Sequence, residues 1–234
     1  DLSASDIGTY AITYNTASAP GSLCPQTATL NLTITDNPLA DFTFGTYCTN
    51  GIDPSPVFLP GASGGIFSAV PAGLSITPAT GLVDLSASAP GTYTVTNTVN
   101  IAGCALATYN DDIVINGLPA GTISGTATIC PGAALPDVTI NLTSGAPNWN
   151  LTYNYNGTPV VVNVAASPYV ISGAAVGTYS LVTVTDANGC TNTLAGNATI
   201  SNYPVPVMNA LNDQEICQGT NLIVQTFGSN LAGS

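Results

Sequence analysis

The sequence contains no lysine, no arginine and no histidine. Its twelve acidic side chains are therefore unopposed, and the formal charge is −12. Phosphate recognition rests mainly on Lys and Arg, so nucleic-acid binding is excluded as a function class. Attraction to an anionic membrane surface lacks its cations as well. Without histidine there is neither the usual proton shuttle nor an imidazole zinc ligand. Ser and Thr are abundant but have no His or Lys to activate them as nucleophiles. Side-chain salt bridges and Lys–Asn isopeptide cross-links are ruled out on the same ground. Stability must come from β-sheet hydrogen bonds, apolar burial and disulfides. There is also no run of about 18 uninterrupted apolar residues, so no segment reads as a transmembrane helix.

Charged residues make up only 5% of the chain, while 45% is hydrophobic. That apolar content excludes ordinary disorder, which needs few apolar residues and high charge. The organising stretch is Gly177-Thr-Tyr-Ser-Leu-Val-Thr-Val-Thr-Asp-Ala-Asn-Gly-Cys190. An altered copy runs from Gly91 to Cys104, and a third opens at Gly8-Thr-Tyr10 and reaches its cysteine at Cys24. The anchoring tyrosines Tyr10, Tyr93 and Tyr179 are 83 and 86 residues apart. A period of that length exceeds solenoid repeats of roughly 20–50 residues and suits whole small domains in tandem. The stretch itself reads as a strand, a tight turn at Asp186-Ala-Asn-Gly189 and the start of a second strand.

This register divides the chain into 1–36, the second half of a repeat; 37–117 and 118–203, two complete repeats; and 204–234, the first half of another. Prolines at Asp36-Asn-Pro-Leu-Ala40, Asn116-Gly-Leu-Pro-Ala120 and Asn202-Tyr-Pro-Val-Pro206 mark the boundaries. Proline lacks the N–H that continues a ladder, and short linkers containing it are semi-rigid. Leu30, Leu32 and Ile34 alternate with threonine and asparagine, the signature of a sheet with one buried face. An insert at 17–23 lengthens the hairpin loop of that copy. Trp149, Leu151, Tyr153 and Tyr155 alternate with polar residues up to Asn156-Gly157, a hairpin signal, and Val160–Val164 returns as the next strand. Trp149 is expected to plug the core; the alternative is an exposed ring stacking on carbohydrate. Many short strands with turn signals and no helical period predict an all-β fold: tandem immunoglobulin-like β-sandwich domains in an extended rod. With position 1 already inside a repeat, the sequence reads as a window from a longer array. The alternative is that successive chains complete one another's split domain.

The six cysteines alternate long gaps of 56 and 60 residues with short ones of 24, 26 and 27. Even count and regular spacing predict a disulfide framework in an oxidising compartment. Pairing within each repeat joins Cys48 to Cys104 and Cys130 to Cys190, and leaves Cys24 and Cys217 for partners outside the window. Buried free thiols are the alternative. A Cys-only zinc site is disfavoured because no Cys-x-x-Cys pair occurs.

No catalytic constellation is legible. Asp111 and Asp112, following Asn110, offer paired oxygens near a domain end, as Ca²⁺ requires. The bland alternative is a solvated turn, and no Asp-x-Asp-x-Asp-Gly loop occurs. Asn212-Asp-Gln-Glu215 is a second acidic cluster, read as a polar loop. No other cofactor is expected.

The pattern Gly-x-Tyr-x-Val-x-Val-x-Asp-x-x-Gly-Cys, preceded by Cys-Pro-Gly or Cys-x-Gly, resembles the Ig-like and PKD-like tandem repeats of giant Bacteroidota surface proteins. These include the SprB-type gliding-motility adhesins exported by the type IX secretion system. The resemblance rests on Gly91-Thr-Tyr93 with Gly103-Cys104, Gly177-Thr-Tyr179 with Gly189-Cys190, and Cys130-Pro-Gly132. It implies a non-catalytic segment of an extracellular filament or adhesin stalk at the cell surface, with neighbouring copies of the repeat or chain as partners. A binding module for carbohydrate or protein, and a split-domain subunit that polymerises, are the alternative functions. One departure from antibody domains is plain. There a tyrosine sits two residues before the second disulfide cysteine, whereas Tyr179 lies eleven before Cys190.

Overall fold

Alternation of β-branched and aromatic residues with small polar ones produces strands throughout, and every regular element among the described residues is a strand. The computed structural model describes residues 5–15 and 27–206, together with Gln218. The 17–23 insert, Cys24, the 212–215 cluster and Cys217 lie outside the described residues. The chain divides into two compact units, Asp1–Gly117 and Leu118–Ser234.

The first unit opens with a hairpin of β1 (Gly8–Asn15) and β2 (Thr27–Ile34), a two-stranded sheet of its own. Its strands alternate as expected, but the face is not covered. Leu30 is 66% exposed and Ile12 50%. The buried face read from Leu30, Leu32 and Ile34 is thus corrected, because alternation specifies which side chains share a face and not whether another layer meets it.

The rest of the unit is a two-layer sandwich. Its short elements are β3 (Phe42–Thr43), β4 (Thr46–Cys48), β5 (Val57–Phe58), β6 (Ile66–Val70), β7 (Ser75–Ile76) and β8 (Val83–Asp84). Two long strands, β9 (Gly91–Val99) and β10 (Ala107–Asn116), complete it. The main sheet runs β4-β10-β9-β6, with β4 parallel to β10; the pairs β3–β5 and β7–β8 lie outside it. Phe42 of β3 and Val83 of β8 meet Phe67, Tyr93, Val95, Ile113 and Ile115 of the main sheet in one core. Phe42 stacks edge-to-face on Phe44, Phe67 and Tyr109, with centroids 5.7, 5.6 and 5.9 Å away.

Asn97 is wholly buried in this core. Its amide donates to the carbonyls of Ala40 and Ser63, each at 2.9 Å, and its oxygen accepts the Gly65 N–H at 2.8 Å. That one side chain ties the entering segment and the approach to β6 onto β9. Gly65 is required there, since a Cβ would overlap the Thr98 carbonyl.

The second unit is built the same way on a larger scale. Its strands are β11 (Gly121–Ser124), β12 (Ala127–Ile129), β13 (Val138–Leu142), β14 (Trp149–Tyr155), β15 (Thr158–Val164), β16 (Tyr169–Ile171), β17 (Gly177–Thr185), β18 (Thr191–Thr193) and β19 (Asn197–Asn202). One sheet runs β12-β19-β17-β14-β15, with β18 on β17; the other is β11-β13-β16. Val138, Ile140 and Leu142 of the small sheet pack against Trp149, Leu151, Tyr153, Leu181, Val184 and Ile200 of the large one. The hairpin at Asn156-Gly157 forms as read: Tyr155 pairs Thr158, and the two turn residues hold φ of 49° and 83°.

The recurring Gly-Thr-Tyr has a single structural role. Each copy begins a strand that pairs antiparallel with the last strand of its repeat: Gly8 opposite Ile34, Gly91 opposite Ile115, Gly177 opposite Ile200. Each tyrosine hydroxyl then donates to the carbonyl four residues upstream: Tyr10 to Asp6 at 2.9 Å, Tyr93 to Ala89 at 2.8 Å, Tyr179 to Ala175 at 3.1 Å. These are tyrosine corners, fixing the turn that leads into the strand. Tyr179→Phe or Tyr93→Phe removes the donor and strands a carbonyl, which costs about 1–3 kcal/mol. Urea unfolding of either variant is expected to show that loss with an unchanged m-value, and a loss too small to measure would remove the corner from the list of stabilising contacts.

Candidate functional site

The residue types that could form a site are the cysteines, the carboxylates and the single tryptophan. Trp149 is 6% exposed, and its indole N–H donates to the Ser144 carbonyl at 3.3 Å. It is a core residue, so a sugar-stacking platform is not available on it.

Asp111 and Asp112 are in the middle of β10, opposite Val95 and Thr94, not in a turn near a domain end. Successive residues of a strand point to opposite faces, so the two carboxylates diverge. Each is already engaged: Asp111 Oδ2 accepts the Phe44 N–H at 2.6 Å, and Asp112 Oδ1 accepts the Thr94 hydroxyl at 2.7 Å. The proposed Ca²⁺ pair is therefore corrected: these residues do not converge on a shared ion. Among the described residues no group of three potential metal ligands comes together.

The cysteines also depart from expectation. Cys48 and Cys190 are disulfide-bonded. Cys104 and Cys130 are free thiols, so neither within-repeat pair, Cys48–Cys104 nor Cys130–Cys190, is formed. The reason is distance along the strands. Cys48 ends β4 level with Asn116, at the far end of β10. Cys104 lies in the turn between β9 and β10, where its Sγ is 3.3 Å from Thr35 Oγ1 and faces a polar cleft shared with Asp36 and Gly103. The length of β10 separates them, roughly 30 Å at the usual strand rise. A disulfide needs Cα atoms within about 7 Å.

The second unit repeats the arrangement. Cys130 follows β12, where Ile129 pairs Asn202 and accepts the Tyr203 N–H at 2.8 Å. Cys190 closes the turn after β17, at the other end of that strand, and is wholly buried. Its turn is held by Asp186, whose Oδ1 accepts the N–H groups of Asn188 and Cys190 at 3.0 and 2.9 Å. Asp186 Oδ2 takes the Ala146 N–H at 3.0 Å. Asp186 had no reading beyond a turn residue in the sequence; its position three residues before Gly189-Cys190 was the available signal.

Burial pushes the Tyr153 phenol above its ordinary value, helped by Tyr169 beside it, and burial likewise raises Tyr179. The Ser86 hydroxyl donating to Asp84, with the Ala87 N–H, holds the Asp84 carboxyl below its ordinary value.

No family model matches the chain, and no curated protein matches it. Among solved structures, the N-terminal four Ig domains of Dscam1 isoform 7.44 align at 12% identity and TM-score 0.35, covering 72% of this chain and 44% of that one. A Ca²⁺-stabilized adhesin that helps an Antarctic bacterium reach out and bind ice aligns at 17% identity and TM-score 0.31, covering 89% and 60%. Mouse cadherin-23 EC22-24 aligns at 13% identity and TM-score 0.30, covering 87% and 77%. With scores this low, the all-β sandwich reading stands on the chain's own strands and cores.

Two predictions follow from this geometry. Asp111→Ala removes an acceptor from a buried-edge N–H and is expected to cost about 1–3 kcal/mol, while Asp112→Ala stays within about 0.5 kcal/mol. Neither variant should change the melting temperature difference between Ca²⁺ and chelator buffers; a Ca²⁺ stabilisation lost in both would restore the cation site. For the tyrosines, the folded pKa lies above the unfolded value of about 10, so their contribution is complete below that pH and is lost as pH rises through the folded value. Tyrosinate absorbance and β-sheet circular dichroism are expected to change together on the alkaline side.

Proposed function

We propose that the chain is a non-catalytic structural segment of an extracellular filament or adhesin stalk, made of Ig-like repeats and displayed at a cell surface. The observation that carries this reading is the recurrence of one hairpin with one tyrosine corner at Tyr10, Tyr93 and Tyr179. What repeats is a folding device, with no repeated cluster of chemically distinctive side chains among the described residues. Disulfide-bonded Cys48 and Cys190 support an oxidising, extracytoplasmic setting. The resemblance to SprB-type gliding adhesins, with type IX export, belongs to this proposal. So do the four-part division of the chain at 36, 117 and 203 and its assembly with neighbouring copies.

A second reading has its own support. The inner face of the β1–β2 hairpin is open at Ile12 and Leu32, 50% and 36% exposed, whereas the matching Val95 and Ile113 of β9–β10 are wholly buried. A first-half segment from another copy laid on that face would complete the sandwich, as in strand complementation.

Antibodies against the chain are expected to label intact source cells, and protease shaving should remove the label; labelling only after lysis would sink the surface role. Sedimentation of the purified, reduced chain separates the two readings. Monomers near 23.4 kDa favour the stalk segment, and concentration-dependent non-covalent multimers favour complementation.

A further inference from the structure

The main sheets of the two units end differently. In the first unit the edge strand β6 is covered, because its Phe67 N–H donates to the Pro78 carbonyl at 2.8 Å. In the second unit the edge is β15, and among the described residues no backbone group bonds to its outer side. Tyr155 and Thr158 flank a two-residue turn, so hydrogen-bonded pairing with β14 recurs at Val160, Val162 and Val164. The backbone groups of Pro159, Val161 and Asn163 therefore point away from β14. Pro159 has no N–H to offer and shields the turn end of the edge. Val161 and Asn163 each present an N–H and a C=O to the open side.

The side chains divide in the same way. Val164 is buried, Val160 and Val162 are half-buried at the rim of the core, and Val161 is 61% exposed. Strand edges are usually blunted by lysine, by other charges, by a bulge or by a covering loop. Beyond Pro159, β15 has none of these. No Asp or Glu occurs between Asp137 and Asp186, the longest uncharged run in the sequence.

We propose that β15 is a lateral assembly site, at which the same strand of a second copy of this chain pairs antiparallel with it. An open row of N–H and C=O groups takes another strand. A basic partner would find no carboxylate on this stretch, whereas a second copy brings the same uncharged edge. The edge is also self-complementary. With Val161 of one copy opposite Asn163 of the other, the four outward groups of each pair reciprocally about a two-fold axis at Val162. Val162 then meets Val162, and Val160 lies beside Val164 of the other copy, which covers the rim of both cores. Residues 160–164 are far fewer than the about 20–30 a side of a stable complex, so the pairing is weak and depends on concentration. The inference rests on assembly with neighbouring copies as partners, and its loss would leave the surface role untouched. It is separate from complementation at the β1–β2 face.

Sedimentation of the full, reduced chain is expected to move from 23.4 kDa towards twice that mass as concentration rises. Hydrogen exchange on the same samples, read in peptic peptides, is expected to slow at 158–164 and to stay unchanged at 8–15 and 27–34. Val161→Pro removes one outward N–H from each edge; Val161→Asp keeps it and sets an anion at the contact. Each is expected to raise the dissociation constant about tenfold or more. Because Val161 is exposed, the Asp variant should match the parent in circular dichroism and melting temperature, so the test holds even where the proline variant folds poorly. A chain that stays monomeric at millimolar concentration, or a multimer that both variants leave intact, overturns the proposal. Slowed exchange confined to 8–15 and 27–34 overturns it as well and assigns the multimer to complementation.

Discussion

Every buried carbonyl in this protein must find a neutral donor, and every carboxylate must find something other than a cation. The described residues solve both problems with the same resource, the backbone N–H and the uncharged side-chain donor. Tyr93 and Tyr179 hydroxyls serve carbonyls at the corners, the Asn97 amide serves two more, and Ser88 Oγ donates to the Asp84 carbonyl at 2.6 Å. The carboxylates take peptide N–H groups instead of ammonium or guanidinium. Asp53 accepts from Leu85 at 2.9 Å and Asp137 from Gly173 at 2.9 Å. Asp111 and Asp186 do the same at the two sandwiches' edges. Hydrogen bonds to charged acceptors are the stronger kind, about 1.5–3 kcal/mol. Among the described residues these four carboxylates are thus engaged in fixing loops and segment ends.

That allocation explains why the sequence was readable in some places and opaque in others. Strands and hairpins were legible because their signals are local. Trp149, Leu151 and Tyr153 alternate, and Asn156-Gly157 has the backbone freedom its turn needs. The three Gly-Thr-Tyr copies showed the repeat, though not that the tyrosine hydroxyls close corners, since the i−4 carbonyl has no residue signature. Asn97 was invisible for a similar reason: it looks like any strand asparagine until the backbone around Ala40 and Gly65 is folded onto it.

The cysteines and the aspartate pair were misread because spacing along a chain is not direction in a fold. Regular gaps suggested one staple per repeat, but β9, β10, β17 and β19 are long enough to hold the two cysteines of a repeat far apart. Adjacent aspartates suggested a shared ion, but on a strand adjacency means opposite faces. Likewise, alternation in β2 fixed the side of Leu30 and Leu32 without fixing what covers that side.

The parallel pairing at the end of each sandwich has a mechanical consequence. In the second unit β12, near the start of the repeat, lies parallel to β19, its last strand, with Ala127, Thr128 and Ile129 opposite Ile200, Ser201 and Asn202. In the first unit Thr46, Tyr47 and Cys48 face Val114, Ile115 and Asn116 in the same sense. Pulling the two ends of a repeat apart slides these strands along one another, so the ladder bonds are loaded in shear and must yield together. An antiparallel pair of terminal strands would be peeled open one bond at a time. A repeat closed by a parallel clamp resists extension along its chain direction more than its modest number of hydrogen bonds suggests.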